Sequence, residues 1–516
     1  MNNSGEVFLY NRDINKHYGI NMWFVFPGCE SFALSSLGYL WLYHKIDVME
    51  NVNVERIYSD TKTTQIMRDK IDLIAFSLSF DMDFIEVLSF LDKNHYEFKS
   101  SDRSDYDPLI YAGGPVVTAN PEPYKNIFDF FIIGDGEDLN LEIIQFYASN
   151  KNLSKSEKLQ LLSQINGIYV PSLSQGKIEK QTKRLSECIY TPIISEKAFF
   201  KNTFILEAER GCANRCGFCL ASYLNLPIRF VEYQKIINAI ELGFSKTNKI
   251  ALLGAQITAH PDFEKICDYV HNKILDGEKI EMGVSSLRVD SFKPKIVQTL
   301  VDAGQKNLTL AIEAGSERLR RVINKNLTEE QIYNAIDVAQ NCGLHGLKFY
   351  GMIGLPTETQ EDIKEIVELS KRIKSKYKGF EINFGFSTFV PKPNTPFQWF
   401  GRLNEKELEK RANYLKKELH KLGIQSTVSS VKWDYWQAVL SRGDDKLTDF
   451  IIEVYKNGGK LGAYKKSAKE LNIDTDYYAY TNFDYNANLP WDFIVTKPGK
   501  EFLINESKRL INTSNN

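Results

Sequence analysis

The sequence predicts an α/β protein with three regions. These are a doubly wound, Rossmann-like domain over residues 1–190, a partial (β/α)6 barrel over 191–400 and a mostly helical carboxyl-terminal domain over 401–516. In the first two regions short apolar runs alternate with helix-like stretches, the pattern of βαβ units around a parallel sheet. After residue 401 the chain instead carries a long, charged, amphipathic stretch at 404–422, which is typical of a helix.

Four apolar runs mark the strands of the first region, and each ends in small or turn-forming residues. The runs lie at 22–26, 71–78, 109–112 and 130–133. In a doubly wound sheet the ligand normally lies outside the carboxyl ends of the strands, so the loops that follow the runs are the candidate ligand rim. The glycines in these loops could equally serve only to make tight turns. The absence of a GxGxxG motif disfavours a nicotinamide cofactor.

Six candidate strands define the second region, after a lysine-rich connection at about 150–200 that is predicted to hold a small hairpin. Their starts lie about 30–45 residues apart, which leaves room for a helix after each strand. Thr328 and Thr359 are predicted to begin two of these helices. Chemistry is expected at the carboxyl ends of the strands. The candidate strands are 204–208, 249–254, 280–285, 308–313, 346–353 and 381–388.

Three of the seven cysteines, Cys212, Cys216 and Cys219, follow the first barrel strand at CxxxCxxC spacing. Thiolates on such a loop are soft ligands suited to zinc, copper or an iron–sulfur cluster. A structural zinc site needs four ligands, and no cysteine or histidine stands near enough in sequence to supply the fourth. Three thiolates on a four-iron cluster leave one iron open, so the spacing favours a reactive cluster.

The other cysteines and the histidines form no further metal-binding motif. Cys267 and Cys342 continue apolar helix faces, where a buried thiol behaves as a small hydrophobic group. Cys29 and Cys188 stand alone in the sequence, so a second cluster is not expected. His260 follows the second barrel strand and could either face the site or be a polar loop residue.

Composition and charge narrow the function classes. The formal net charge of −2 gives no sign of bulk electrostatic binding to nucleic acid. No apolar run approaches the roughly 20 residues that span a bilayer, and the first residues lack the features of a signal peptide. A cytoplasmic location is therefore expected, where clustered thiols favour metal over disulfide.

The cysteine loop, with the aromatic Phe218 before its last cysteine, resembles the signature of the radical S-adenosylmethionine (SAM) enzymes. Stretches in the barrel and in the amino-terminal domain resemble the branch of that superfamily whose amino-terminal domain is cobalamin-binding-like. Two stretches near the carboxyl terminus resemble the tail of an uncharacterised subgroup of that branch. The stretches in the barrel are 285–291, 312–319, 322–326, 352–359 and 389–397; those in the amino-terminal domain are 113–115, 120–123 and 133–137; those in the tail are 442–444 and 489–492.

The resemblance implies that the three cysteines hold one [4Fe-4S] cluster, whose open iron binds S-adenosylmethionine. It also implies a reductant such as flavodoxin or ferredoxin. By their positions at strand ends, and by the resemblance, the residues expected to contact S-adenosylmethionine are Phe218, Gln256, Ser285, Glu313, Gly351 and Gly354. The residues expected to cradle cobalamin, if it binds, are Ser77, Ser79, Gly113, Gly114, Gly134, Gly136 and Glu137.

Two departures from the family pattern bear on the reaction. No histidine lies in a DxHxxG motif, so cobalamin either binds without a histidine ligand or is absent. No three-cysteine auxiliary set precedes the radical motif, which disfavours methylthiolation. The expected activity is reductive cleavage of S-adenosylmethionine, followed by cobalamin-linked methyl transfer or a radical rearrangement on an unknown substrate. The alternatives are cobalamin-independent hydrogen abstraction on a nucleic-acid base or a peptide, and a non-catalytic iron–sulfur or zinc scaffold.

Overall fold

The computed structural model describes residues 5–12, 19–174, 176–285 and 287–513. The amino-terminal part alternates strands with helices, as predicted. Its elements are β1 (Glu6–Phe8), β2 (Ile20–Phe26), α1 (Glu30–Ala33), α2 (Leu37–Asp47), β3 (Val52–Tyr58), β4 (Leu73–Ser77), α3 (Phe84–Lys93), β5 (Leu109–Gly113), α4 (Pro115–Ala119), β6 (Phe130–Ile132), α5 (Glu137–Ser149), α6 (Lys155–Leu162) and β7 (Ile168–Tyr169).

The strands β2 to β7 form one sheet in the order β3-β2-β4-β5-β6-β7, in which every pair is parallel except that of β6 with β7. Alternate residues of β2, such as Trp23 and Phe24, pack into separate cores on the two faces of the sheet. All four predicted strands are present. Sequence analysis missed β3, because this edge strand (VNVERIY) is only partly buried and has no continuous apolar run.

The connection to the barrel region does not form the predicted hairpin. Its three short strands pair instead with distant parts of the chain, which ties the regions together. These strands are β8 (Ile178–Glu179), β9 (Ile189–Tyr190) and β10 (Ile193–Ser195), and their partners are the strand at Ile494–Val495, the first barrel strand and β1, respectively.

All six predicted barrel strands are present, and each is followed by at least one helix. Thr328 and Thr359 cap the helices Glu329–Asn341 and Gln360–Lys376, as predicted. The elements are β11 (Thr203–Glu207), β12 (Glu209–Arg210), α7 (Leu220–Leu224), β13 (Arg229–Phe230), α8 (Tyr233–Phe244), β14 (Lys249–Leu253), α9 (Phe263–Leu275), β15 (Glu281–Val284), α10 (Pro294–Asp302), β16 (Leu308–Glu313), α11 (Glu317–Val322), α12 (Glu329–Asn341), β17 (Gly346–Ile353), α13 (Gln360–Lys376) and β18 (Glu381–Thr388).

The rest of the chain is mostly helical. Short 3₁₀ helices also occur along the chain, at Arg68–Lys70, Asp81–Asp83, Ser100–Asp102, Glu122–Tyr124, Ile257–Ala259 and Val289–Ser291. The remaining elements are α14 (Glu405–Lys421), β19 (Gln425–Val428), α15 (Val431–Ser441), α16 (Leu447–Lys456), α17 (Leu461–Glu470), α18 (Thr475–Tyr480), β20 (Ile494–Val495) and α19 (Lys500–Asn512).

The six barrel strands belong to two four-stranded sheets, β15-β14-β11-β9 and β16-β17-β18-β19, in which only β9 is antiparallel. A parallel bridge between Leu287 and Leu310 joins the two sheets. The strand β19 lies beyond residue 400. The sheet β16-β17-β18-β19 therefore continues into the segment predicted as the carboxyl-terminal domain.

The helices after β19 return to the amino-terminal sheet. Trp436, Phe450 and Tyr464 share one hydrophobic core with Phe76 and Phe84 of the first region. The carboxyl-terminal helices therefore complete one of the two cores of the amino-terminal sheet. Among the described residues, no helix has both the length and the apolar character that a membrane crossing requires.

Gly315 lies two residues after Glu313, directly against the backbone of α13. A Cβ at this position would lie 2.3 Å from the amide nitrogen of Ile366. Since helix backbone cannot yield easily, we expect Gly315→Ala to destabilise the fold by about 1–3 kcal/mol. Thermal unfolding measures the effect. Gly462→Ala is the control, because a Cβ there meets no atom within 4 Å. Equal melting temperatures for the two variants would contradict this packing.

Candidate active site

The carboxyl end of β11 delivers the cysteine loop. The Ala208 N–H donates to the carbonyl of Leu253 on the neighbouring strand, at 2.9 Å. The chain then turns at Gly211, whose φ is +93° and where a Cβ would lie 2.7 Å from the carbonyl oxygen of Asn225. Cys212 and Cys216 follow, each only 7% exposed, and Cys219 is the N-cap of α7. The three thiols therefore lie on a short, largely buried loop.

Hydrogen bonds to the loop backbone hold its shape. The side-chain amide of Asn324 donates to the carbonyls of Asn214 and Arg215, at 2.7 and 3.2 Å. The hydroxyl of Tyr223 also donates to the Arg215 carbonyl, at 2.8 Å. Arg215 has a φ of +50°, so these bonds stabilise a backbone conformation that non-glycine residues seldom adopt. These hydrogen bonds therefore hold the cysteine loop in one backbone conformation.

The last helix, α19, covers the outer side of this loop. Leu510 and Phe218 belong to one small hydrophobic cluster, and a Cβ on Gly217 would lie 2.9 Å from Leu510. The Arg215 guanidinium lies 5.6 Å from the centre of the Phe502 ring. Sequence analysis missed this cover, because nothing in the sequence relates the end of the chain to the cysteine motif.

Two cations face the cysteines, and sequence analysis predicted neither. Lys325 forms an ion pair with Glu313 at 3.2 Å, and both side chains are largely buried. Arg288 donates to the Lys325 carbonyl at 3.0 Å, and its buried Nη1 has no hydrogen-bond partner in the described part of the chain. Burial raises the pKa of the Cys216 thiol to about 12, although Lys325 and Arg288 favour its thiolate. Burial likewise raises the pKa of Cys219.

Glu313 ends β16, at the position predicted for it. Its φ is +64°, and the pairing of β16 with β17 shifts register between Ala311 and Glu313. A non-glycine residue in this conformation is strained, and such strain persists only where the surroundings determine the geometry. Here the ion pair with Lys325 is the surrounding contact. The carboxylate is therefore held at the carboxyl end of β16, beside the cysteines.

Gln256 connects the cysteine loop to a buried carboxylate. Its side-chain oxygen accepts a bond from the Asn214 amide and lies 3.8 Å from the Cys212 sulfur. Its backbone N–H donates to Glu209, which is 1% exposed and whose other oxygen has no partner among the described residues. A Cβ on Gly254 would lie 2.4 Å from the Cγ of Glu209, so glycine is required there. Burial raises the pKa of Glu209 to about 7.

The other residues predicted to contact S-adenosylmethionine differ in their surroundings. Ser285 donates to the carbonyl of Gly254 at 2.8 Å, near Gln256. A Cβ on Gly351 would lie 2.6 Å from the Phe386 ring, and a Cβ on Gly354 would lie 2.6 Å from Leu408. These two glycines leave room for side chains of the chain itself.

His260 is a polar loop residue. Its Nε2 lies 2.8 Å from the carbonyl of Val231, and its Nδ1 accepts from the backbone N–H of Asp262 at 3.1 Å. Cys267 is fully buried on α9, as predicted. Cys342 is also buried, at the end of α12.

A cavity of about 370 Å³ lies at the carboxyl ends of the amino-terminal strands. It extends to Glu207 and Arg210 of the barrel region, and Arg210 precedes Cys212 by two residues. All seven residues predicted to cradle cobalamin line it: Ser77, Ser79, Gly113, Gly114, Gly134, Gly136 and Glu137. The cavity is therefore an interdomain feature, next to the segment that leads into the cysteine loop.

Arg210 links the cavity wall to the cysteine loop. Its guanidinium lies 3.0 Å from Asp135, 2.9 Å from Glu137 and 2.7 Å from Glu207. Arg229 also pairs with Asp135, at 2.6 Å. Burial alone would raise the pKa of Asp135, but the two arginines outweigh it and hold this pKa below its usual value. The two arginines thus offset two of the three carboxylate charges in this part of the cavity wall.

Comparisons with known proteins agree with this geometry. Residues 38–171 match the family model described as radical SAM proteins, N-terminal, and residues 207–370 match that of the radical SAM superfamily. An uncharacterised protein of Methanocaldococcus jannaschii is 31% identical over 405 residues, which is 77% of this chain and 83% of that protein. The chain belongs to the radical SAM superfamily. The predicted superfamily is confirmed, and the chain is a radical SAM enzyme.

Two further similarities concern more distant members. The threonylcarbamoyladenosine tRNA methylthiotransferase MtaB of Aquifex aeolicus is 23% identical, over 60% of this chain and 75% of that protein. The solved structure of the cobalamin-dependent S-adenosylmethionine radical enzyme OxsB, with aqua-cobalamin and S-adenosylmethionine bound, has a TM-score of 0.53 at 14% identity. That match covers 96% of this chain and 79% of OxsB, so the radical SAM chain shares its fold along nearly its whole length.

The buried Glu209 makes stability depend on pH. Its pKa in the fold, about 7, exceeds the ordinary value of 4.5, so between these values the folded state binds more protons than the unfolded state. Stability is therefore lost as pH rises through this window, by at most about 3 kcal/mol. We expect Glu209→Gln to remove this loss, so that the melting temperature of the variant gains on that of the wild type from pH 5 to pH 8.

The control for this measurement is Glu142→Gln, which makes the same charge change at an exposed position on α5. Its melting temperature should change with pH as that of the wild type does. If the melting temperature of Glu209→Gln also changed with pH as that of the wild type does, the raised pKa of Glu209 would be refuted.

Proposed function

We propose that Cys212, Cys216 and Cys219 hold one [4Fe-4S] cluster, at which the enzyme cleaves S-adenosylmethionine reductively. The observation that carries this proposal is the placement of three thiols on one largely buried loop beside Arg288, Lys325 and Glu313. Thiolates suit an iron–sulfur cluster, and nearby cations favour the thiolate form that ligation needs. When bound, the cluster supplies the electron that splits S-adenosylmethionine into methionine and a 5′-deoxyadenosyl radical. A low-potential carrier such as flavodoxin or ferredoxin is the proposed source of that electron.

We further propose that the six strands β11, β14, β15, β16, β17 and β18 act as one partial (β/α)6 barrel. The bridge between Leu287 and Leu310, which joins their two sheets, supports this proposal. The α14–β19 unit adds to the same sheet, so we place the end of the barrel region after β19 rather than at residue 400. In such barrels the residues at the carboxyl ends of the strands carry the chemistry.

The residues around the cysteines suit the polar groups of S-adenosylmethionine. Arg288 offers a buried donor without a partner, which matches the carboxylate of the ligand. Glu313, held by Lys325, is an acceptor for the amine or for ribose hydroxyls. Leu510 and Phe218 keep water from the outer side of the loop, which limits side reactions of a carbon radical. These residues are proposed to bind, orient and shield.

The interdomain cavity supports a cobalamin-linked reaction, methyl transfer or radical rearrangement, as the further step. Its hydroxyl-bearing and glycine-rich lining suits the amide groups of a corrinoid, and no histidine occurs among its described lining residues. At about 370 Å³ it is smaller than a whole corrinoid, so only part of one would enter. When bound, cobalamin would carry the methyl group. Hydrogen abstraction without cobalamin, on a nucleic-acid base or a peptide, is the alternative function if no corrinoid binds.

Replacing a proposed cluster ligand should abolish the activity. We expect Cys216→Ala, reconstituted anaerobically with iron and sulfide, to lose the broad visible absorption of the cluster and to form no 5′-deoxyadenosine under reductant. Cys29→Ala is the control, because Cys29 lies in the amino-terminal region and outside the site. Cleavage of S-adenosylmethionine by Cys216→Ala would show the assignment to be wrong.

Arg288 is expected to govern affinity for S-adenosylmethionine rather than cluster content. We expect Arg288→Gln to keep wild-type iron and sulfide but to bind S-adenosylmethionine about tenfold more weakly, since it loses a charge-assisted contact. Equilibrium dialysis under anaerobic conditions measures this affinity. Arg321→Gln, on the exposed side of α11, is the matched control. Unchanged affinity in Arg288→Gln would refute the role of Arg288.

A further inference from the structure

Three phenylalanine side chains lie exposed beside one another on the surface. Phe32 is 53% exposed, Phe199 is 59% exposed and Phe200 is 54% exposed. The ring centres of Phe32 and Phe199 lie 5.2 Å apart, and those of Phe199 and Phe200 lie 5.1 Å apart. We call this group the phenylalanine patch. Exposed apolar side chains are ordinary where they stand singly, whereas a contiguous group of three large rings indicates a binding surface.

Hydrogen bonds between two distant segments hold the patch in place. One ring comes from α1, and the other two come from the segment between β10 and β11. The Phe199 N–H donates to the carbonyl of Ser31 at 2.8 Å, and the Phe200 N–H donates to the hydroxyl of Ser35 at 3.0 Å. Ala198 is 4% exposed and anchors the second segment in a core of the amino-terminal sheet. The backbone that presents the rings is therefore fixed before any partner binds, which lowers the entropy cost of binding.

The charged residues around the patch carry both signs. Lys197 pairs with Glu30 at 3.4 Å, and exposed Asp60 accepts from the N–H of Glu30 at 2.9 Å. Glu196 and Lys201 flank the second segment, are exposed, and form no ion pair within the described ranges. Two lysines against three carboxylates leave a formal charge of −1 on this surface. Such a surface attracts neither nucleic acid nor an anionic membrane.

The two unpaired charges make the patch complementary to itself. In an isologous dimer a two-fold axis brings the same surface of both copies together, so that the contacts occur in reciprocal pairs. A two-fold axis near Phe199 reverses the direction of the segment 196–201. This reversal places Glu196 of each copy against Lys201 of the other. The rings then form the centre of the interface and the opposite charges form its rim, the arrangement that protein interfaces favour.

The area of the rings suits the centre of such an interface. An aromatic side chain buries about 150–250 Å² in a core or an interface, so three half-exposed rings offer roughly 300 Å² per copy. A stable interface buries about 800 Å² per partner, with anchors of this kind near its middle. We propose that the phenylalanine patch binds the same patch of a second copy of this chain, so that the protein forms a two-fold symmetric dimer.

The proposed dimer interface adjoins the interdomain cavity. Ser35, which accepts the bond from Phe200, directly precedes Ser36, and Ser36 lines the cavity. A second copy bound to the patch therefore lies next to this part of the cavity wall. Dimer formation itself requires neither the cluster nor a corrinoid, because the patch contains none of the residues proposed to bind them.

Sedimentation equilibrium of the anaerobically reconstituted full chain tests for the dimer at about 1–100 μM protein, a range that covers the usual affinities of specific dimers. The weight-average mass should reach twice the chain mass of 59.3 kDa within this range. A mass of one chain at every concentration would overturn the proposal.

A charge at the centre of the patch should break the dimer. Phe199→Glu brings two carboxylates together at the two-fold axis and removes two rings, so the dissociation constant should rise at least about tenfold. Tyr106→Glu is the control, since Tyr106 is 99% exposed and precedes β5, at the opposite edge of the sheet. Its dissociation constant should equal that of the wild type. A dimer that persists unchanged in Phe199→Glu would contradict the assignment.

An exchange of charges keeps the test decisive if Phe199→Glu does not fold, as judged by circular dichroism. Glu196→Lys and Lys201→Glu should each weaken the dimer several-fold, because each brings like charges together at both rim contacts. The double variant exchanges the two charges and should recover the wild-type dissociation constant to within about twofold. A double variant that is weaker than both single variants would rule out the two-fold pairing.

A lipid surface is the other occupant that three exposed phenylalanines could meet. Flotation of the wild type with phosphatidylcholine vesicles separates the two cases. Protein that remains below the vesicles supports the dimer. Wild type that floats and is monomeric without vesicles, together with Phe199→Glu that does not float, would assign the patch to lipid and overturn the dimer.

Discussion

The ion pairs of Arg210 are the interaction on which the rest of this structure depends. Arg210 lies two residues before Cys212, and its guanidinium joins Glu207 of β11 to Asp135 and Glu137, which follow β6 of the amino-terminal sheet. A buried cation stays favourable only while its partners remain in place, because an uncompensated buried charge costs several kcal/mol. The two domains, the cavity between them and the start of the cysteine loop are therefore held in one arrangement.

The cysteine site itself balances burial against charge. Burial raises the pKa values of Cys216 and Cys219, which favours neutral thiols, while Lys325 and Arg288 favour the thiolate of Cys216 and hydrogen bonds from Ser222 favour that of Cys219. Buried thiolates are stabilised when a positively charged group takes the place of the lost protons. Glu209 adds a carboxylate whose charge is also costly in isolation. The local chemistry is poised for ligands that bring positive charge.

Local patterns in the sequence predicted the elements well, whereas the contacts between distant segments could not be predicted. Strands with continuous apolar runs, such as β4 and β5, and helices with clear caps at Thr328 and Thr359 were found because their signals lie within a few residues. The convergence of Arg288 and Lys325 on the cysteines depends on how whole strand–helix units pack, which no spacing encodes. Gly351 and Gly354 show the same limit of reasoning from sequence, because the room that they make for Phe386 and Leu408 becomes visible only in the structure.

The cover that α19 places over the cysteine loop has a consequence for how the enzyme is made. The loop leaves the ribosome long before the residues that shield it, because domains form from the amino terminus onward during synthesis. Until Leu510 docks beside Gly217 and Phe218, this helix leaves the cysteine loop uncovered. Completion of the chain then closes the outer side of the loop. A truncation that removes α19 is thus a change to the surroundings of the cysteine loop, although it lies far from the motif in sequence.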